Sequence, residues 1–101
     1  MAQNTPAKRP DIQRVSVAAA AETTVTFPGV VTLIGFTLQA LEDVNLYFSF
    51  DLGGTFSADN YYTLKAGYIW NERDINYTPP EDVLYLRSAA GTITAELIYW
   101  G

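Results

Sequence analysis

A chain of 101 residues with 49% apolar content is the size of one domain and can bury a single hydrophobic core. It has no cysteine, which excludes disulfide scaffolds and thiolate chemistry, and no histidine, which removes the commonest general base and transition-metal ligand. The net charge of −5 divides unevenly: Lys8, Arg9 and Arg14 against Asp11 give residues 1–14 a charge of +2, and three cations against ten carboxylates leave the remainder at −7.

Residues 1–14 carry Pro6 and Pro10, polar side chains and few core formers, the composition of a segment that cannot order itself by burial. We therefore expect a flexible basic arm over 1–14 and a folded body over 15–101. From Val15 onward, β-branched and aromatic residues dominate and turn residues recur at the spacing of short strands. Val15 and Val17 alternate with Ser16, and Val25 and Phe27 with Thr24 and Thr26, before a Pro28-Gly29 turn. The run Val30 to Leu41 is apolar on both faces, which predicts a central strand, with Gly35 marking a bulge or a close backbone approach. Next, Leu46, Phe48 and Phe50 fall on one face with Asn45, Tyr47 and Ser49 on the other, the clearest half-buried strand of the chain.

Two adjacent glycines, Ser57, Asp59 and Asn60 make Leu52 to Asn60 a loop with a mobile tip. A strand is expected at "YYTL" and another at "YIWNERDI", which Pro79-Pro80 ends because proline has no N–H for a ladder. Leu84 and Leu86 alternate with Val83, Tyr85 and Arg87, and the closing strand places Ile93, Ala95, Leu97 and Tyr99 on one face. "VAAAAETT" is too short and too rich in threonine for a helix. The whole predicts an all-β, antiparallel β-sandwich of seven or eight strands, jelly-roll or immunoglobulin-like, and alternation alone cannot choose between the two topologies.

The candidate chemistry is sparse. Glu72 and Asp74 share a strand face, with Glu81 and Asp82 a turn away, but nothing specifies the flanking geometry of a glycosidase pair, and a solvated strand face is the better reading. Asp51, Asp59 and Asn60 match no dense calcium loop, so no metal and no cofactor are expected. Serines without a histidine, and without a G-x-S-x-G turn, exclude acyl transfer, and the chain is expected not to be an enzyme. An acidic body with three scattered cations is unsuited to tracking phosphates, and no apolar run reaches the roughly 18–20 residues of a membrane span, so neither nucleic acid nor membrane is an expected partner. The opening residues lack the apolar stretch of a secretion signal. What remains is contact chemistry. Tyr61, Tyr62, Tyr68, Trp70 and Tyr85 are candidate contact aromatics, with an apolar body to bury and a polar tip to keep wet. The arm, through Lys8, Arg9, Asp11, Ile12 and Arg14, is a candidate for ordering on an acidic partner.

Three segments carry a resemblance: "NLYFSFDLGG", a strand running into a glycine-rich loop; "YYTLKAGY", with its L-x-x-G turn; and the closing hairpin "VLYLRSAAGTITAELIYW". Together, over Asn45 to Trp100, they resemble head decoration (cement) proteins of tailed bacteriophages and related small β-sandwich virion modules. The resemblance implies a non-enzymatic structural protein that docks on the outside of a capsid assembled in the bacterial host cytoplasm. Its partner would be the major capsid protein, it would be a homo-oligomer, dimer or trimer, and its N-terminal segment would engage the shell. The alternative is a module that recognises a glycan or a host surface, with Tyr61, Tyr62, Tyr68 and Trp70 as a stacking platform.

Overall fold

A computed structural model describes residues 10–30, 32–73 and 83–101. It contains eight strands: β1 (Asp11–Val17), β2 (Thr23–Val25), β3 (Gly35–Ala40), β4 (Leu46–Ser49), β5 (Tyr62–Leu64), β6 (Trp70–Glu72), β7 (Leu84–Ser88) and β8 (Ile93–Trp100). They form two four-stranded antiparallel sheets, one ordered β1-β8-β3-β6 and the other β2-β7-β4-β5. The chain is an all-β sandwich.

Its topology follows from a single long hairpin folded on itself. β4 pairs with β5, β3 with β6, β2 with β7 and β1 with β8, so each strand meets its mirror in the sequence. Every connection except β4 to β5 passes from one sheet to the other, and the wound ribbon then brings β3 onto β8 and β4 onto β7. Eight strands in this order make a jelly roll, not the immunoglobulin-like alternative.

Alternation of apolar and polar residues decides which face of each strand is inside. β8 is buried at every second residue, from Ile93 through Ala95 and Leu97 to Tyr99, and β7 places Leu84 and Leu86 opposite them across the core. Leu46 and Phe48 of β4 and Phe36 and Leu38 of β3 complete the centre. Each leucine, isoleucine and phenylalanine among them contributes roughly 1.5–3 kcal/mol on leaving water. Phe27 packs edge-on against Tyr99 with ring centroids 5.2 Å apart, and the Tyr99 hydroxyl donates to the Pro28 carbonyl at 2.9 Å, so its polar tip is satisfied at the margin of the core.

The body begins earlier than the composition of the first fourteen residues implies. Asp11 through Val17 pair residue for residue with Tyr99 through Ile93, which makes Asp11, Ile12 and Arg14 sheet residues rather than parts of a free arm. An edge strand is recruited by ladder hydrogen bonds and needs little burial of its own; Arg14 is further fixed by an ion pair of 2.7 Å to Glu96, which also accepts from Gln39. Lys8 and Arg9 lie outside the described residues, as do Asp74, Glu81 and Asp82.

Gly35 is where β3 can tolerate no side chain. A Cβ there would fall 2.8 Å from the Glu72 carbonyl oxygen of β6 and closer still to the Trp100 indole of β8. Gly35→Ala must therefore push apart two strands that flank β3, and we expect a loss of about 1–3 kcal/mol, as overpacking usually costs. A shift of the urea midpoint at unchanged slope measures it; an unaltered midpoint would show that the neighbours yield freely.

Candidate functional site

The two long sides of the sandwich are closed by different chemistry. On the β1/β2 side the sheets are stitched by polar groups: the Gln13 side-chain amide donates to the Thr26 carbonyl at 3.0 Å, and the Thr23 hydroxyl to the Ser16 carbonyl at 3.4 Å. On the β5/β6 side both sheets end in three-residue strands, and the closure is aromatic. Phe48 reaches across from β4 to meet Trp70 of β6 edge-on at 5.0 Å, stacks on its cross-strand partner Tyr62 at 5.1 Å, and Tyr62 in turn touches Trp70 at 5.3 Å. The Trp70 Nε1–H donates to the Glu72 carboxylate at 2.8 Å.

This arrangement divides the five expected contact aromatics. Tyr62 and Trp70 belong to the cluster just described, and Tyr68 lies in the link from β5 to β6 beside Ile69. Tyr62, Tyr68 and Ile69 are 50%, 67% and 60% exposed, so the open side carries an apolar surface. Tyr61, one residue before Tyr62, is packed on Tyr47 at 4.7 Å, and Tyr85 lies on the polar face of β7; both are half-buried. Tyr61 thus packs on Tyr47, whereas Tyr62 packs on Phe48 and Trp70. Glu72, read from the sequence as part of a solvated acidic face, is half-buried and engaged by Trp70.

The β4–β5 loop contains the second feature. Gly53 adopts a left-handed conformation, φ 78°, that a side chain would disfavour, and leads into a single 3-10 turn, Gly54–Phe56. Two charged residues far away in sequence hold this turn. Glu22, just before β2, accepts the Gly53 N–H at 2.8 Å, the Thr55 N–H at 3.3 Å and the Thr55 hydroxyl. Arg87 of β7 donates from Nε and Nη2 to the Thr55 carbonyl at 3.0 and 2.7 Å, and its guanidinium lies over the rings of Phe56 and Tyr47 at 4.3 and 4.7 Å. Thr55 is fully buried as a result. The expected mobile loop is thus clamped at its middle. The sequence carried one trace of this: Arg87 is the single cation after Arg73. Glu22 gave none, since its partners are more than thirty residues away.

A pocket of about 230 Å³ opens between the end of β4 and the start of β5. Its polar lining is Ser49, Asp51, Asp59 and Asn60; its apolar lining comes from Phe50, Tyr61 and Tyr62. Asn60 donates its side-chain amide to Asp51 Oδ2 at 3.2 Å, and Ser49 Oγ accepts the Asp51 N–H at 3.1 Å. Among the described residues no three acidic or other ligating side chains gather as a metal site would require.

Burial raises the proton affinity of Glu22, but the hydrogen bonds from Thr55 and Gly53 and the charge of Arg87 outweigh it and hold the carboxyl below its ordinary value. A depressed carboxylate stabilises the fold above its unfolded-state pKa and loses that contribution as the pH falls through the folded value. We expect the Gly53 and Thr55 amide resonances to titrate together with a midpoint below the roughly 4.3 of a free glutamate. Glu22→Gln should abolish the titration; a midpoint at or above the free value would mean that the clamp does not hold in solution. No protein-family model matches the sequence, and no curated protein matches it.

Proposed function

We propose that this chain is a non-enzymatic virion structural protein that docks on the outside of a phage capsid and stabilises the shell. The observation that supports it best is the apolar surface of Tyr62, Tyr68 and Ile69 on the open side of the sandwich. Exposed aromatic and aliphatic side chains favour contact with another protein surface, and here the Tyr62 ring is braced by Phe48 from behind. The short strands β5 and β6 offer little edge for strand addition, so side-chain packing would supply the contact. The resemblance over Asn45 to Trp100 gives the kind of partner, the major capsid protein or a second copy bound beside it.

Such a protein acts by mass action. Binding the closed lattice and not its separated parts stabilises each site by RT ln(1 + [L]/Kd), about 2.7 kcal/mol at a hundredfold excess over Kd, and the effect accumulates over the shell. The basic residues Lys8 and Arg9 add attraction to an acidic shell surface, screened beyond about 8–10 Å at ordinary salt.

Cosedimentation with expanded shells of the parent phage tests the reading. Tyr68→Ser combined with Ile69→Ser should leave the unfolding midpoint in place, because both side chains are exposed, and weaken shell binding by about tenfold or more, the equivalent of ~1.4 kcal/mol. Unchanged binding by a folded double variant would sink the contact surface. Because β1 begins at Asp11, removal of residues 2–9 tests the arm without cutting the sheet. The shortened chain should bind more weakly and with a shallower dependence on salt; equal affinity and salt dependence would remove the arm from the proposal.

A further inference from the structure

The pocket between the end of β4 and the start of β5 shares Tyr62 with the proposed docking surface, but its polar lining of Ser49, Asp51, Asp59 and Asn60 gives it a different chemistry. Ser49 is 3% exposed, and its oxygen accepts the Asp51 N–H, yet its own hydroxyl proton meets no acceptor among the described residues. A buried donor without an acceptor asks for one from outside the chain. Around it the demand is reversed: Asp51 gives one carboxylate oxygen to Asn60, and neither its other oxygen nor Asp59 has a partner among the described residues. Phe50, Tyr61 and Tyr62 add apolar lining.

A ligand for this site must supply an acceptor to Ser49, donors to two carboxylates and an apolar flank to aromatic rings. An anion is disfavoured by Asp51 and Asp59. A bare cation would leave the Ser49 proton and the ring surfaces unused. A neutral hydroxylated ring meets all three requirements, since each hydroxyl both donates and accepts and the ring C–H face is apolar. The volume, about 230 Å³, is below the roughly 300–1,000 Å³ of pockets for drug-sized ligands, which limits the occupant to a single ring.

We propose that this pocket binds one neutral monosaccharide unit, with Ser49 donating to a sugar oxygen, Asp51 and Asp59 accepting from hydroxyls, and the sugar's C–H face against the aromatic lining. The Glu22 and Arg87 clamp on Thr55 fixes the loop that carries Asp59 and Asn60 at its far end, so binding need not order the whole loop. With so few heavy atoms engaged, the dissociation constant is on the order of millimolar.

The inference does not rest on shell docking, and the substitutions that test it leave Tyr62, Tyr68 and Ile69 unchanged. The full chain, isotopically labelled, is titrated with glucose, galactose, mannose and N-acetylglucosamine up to about 100 mM, a hundredfold above the expected constant. Calcium chloride forms a separate arm. At least one sugar should give saturable amide shifts confined to residues 49–51 and 59–62. Asp59→Ala, at an exposed position, should keep the unfolding midpoint and weaken binding about tenfold; Ser49→Ala should weaken binding likewise and, because it also removes the acceptor of the Asp51 N–H, lower the unfolding midpoint. The proposal is overturned if no sugar gives saturation, if calcium alone produces the shifts, or if a folded Asp59→Ala variant binds as the parent does.

Discussion

Because β8 is paired along one edge with β1 and along the other with β3, it fixes the register of most of its sheet, and its four inward residues form the floor on which the opposite sheet packs. Both duties fall on one eight-residue strand at the end of the chain. A one-residue slip would turn Ile93, Ala95, Leu97 and Tyr99 to solvent and bring Thr94 and Glu96 inside, so hydrophobic burial and ladder pairing enforce the same alignment. The earlier strands depend on it. Without β8, β1 has no ladder within its sheet, and β3 keeps only the short β6.

The wound ribbon makes the two sides of the sandwich unequal. Near β1 and β2 the gap between the sheets is bridged by side-chain amide and hydroxyl groups that bond to backbone carbonyls. Near β5 and β6 the strands are only three residues long, and large rings fill the opening instead. Rings that plug an opening are by construction partly outside. The same geometry that recruits Tyr62 and Trp70 to closure also leaves an apolar surface at that side.

The β4–β5 loop shows a different economy. It is rich in glycine and polar residues, yet its middle is held by a carboxylate from before β2 and a guanidinium from β7. Glu22 and Arg87 act on the same residue, Thr55, from opposite polarity, one taking its N–H and hydroxyl and the other donating to its carbonyl. Buried polar groups satisfied in this way rigidify a segment that hydrophobic packing cannot reach.

The all-β class and the inward faces of β4, β7 and β8 were legible in the sequence, because alternation is a local property of a strand, whereas Gly35 stood between a bulge and a close approach until its flanking strands were in place. The sequence by itself excluded histidine- and cysteine-based chemistry by composition alone. It misplaced the start of the body, since what orders Asp11 to Arg14 is a partner strand more than eighty residues away, and composition reports only what a segment can bury unaided. It offered Tyr61, Tyr62, Tyr68 and Trp70 as a stacking platform only in its second reading, and could not show that Tyr61 packs on Tyr47 while Tyr62 packs on Phe48 and Trp70. Only the tertiary structure decided the jelly-roll winding, the clamp of Glu22 and Arg87 on Thr55, and the pocket at Ser49. Each of these depends on pairings between distant segments, and the period of a strand carries no information about its partner.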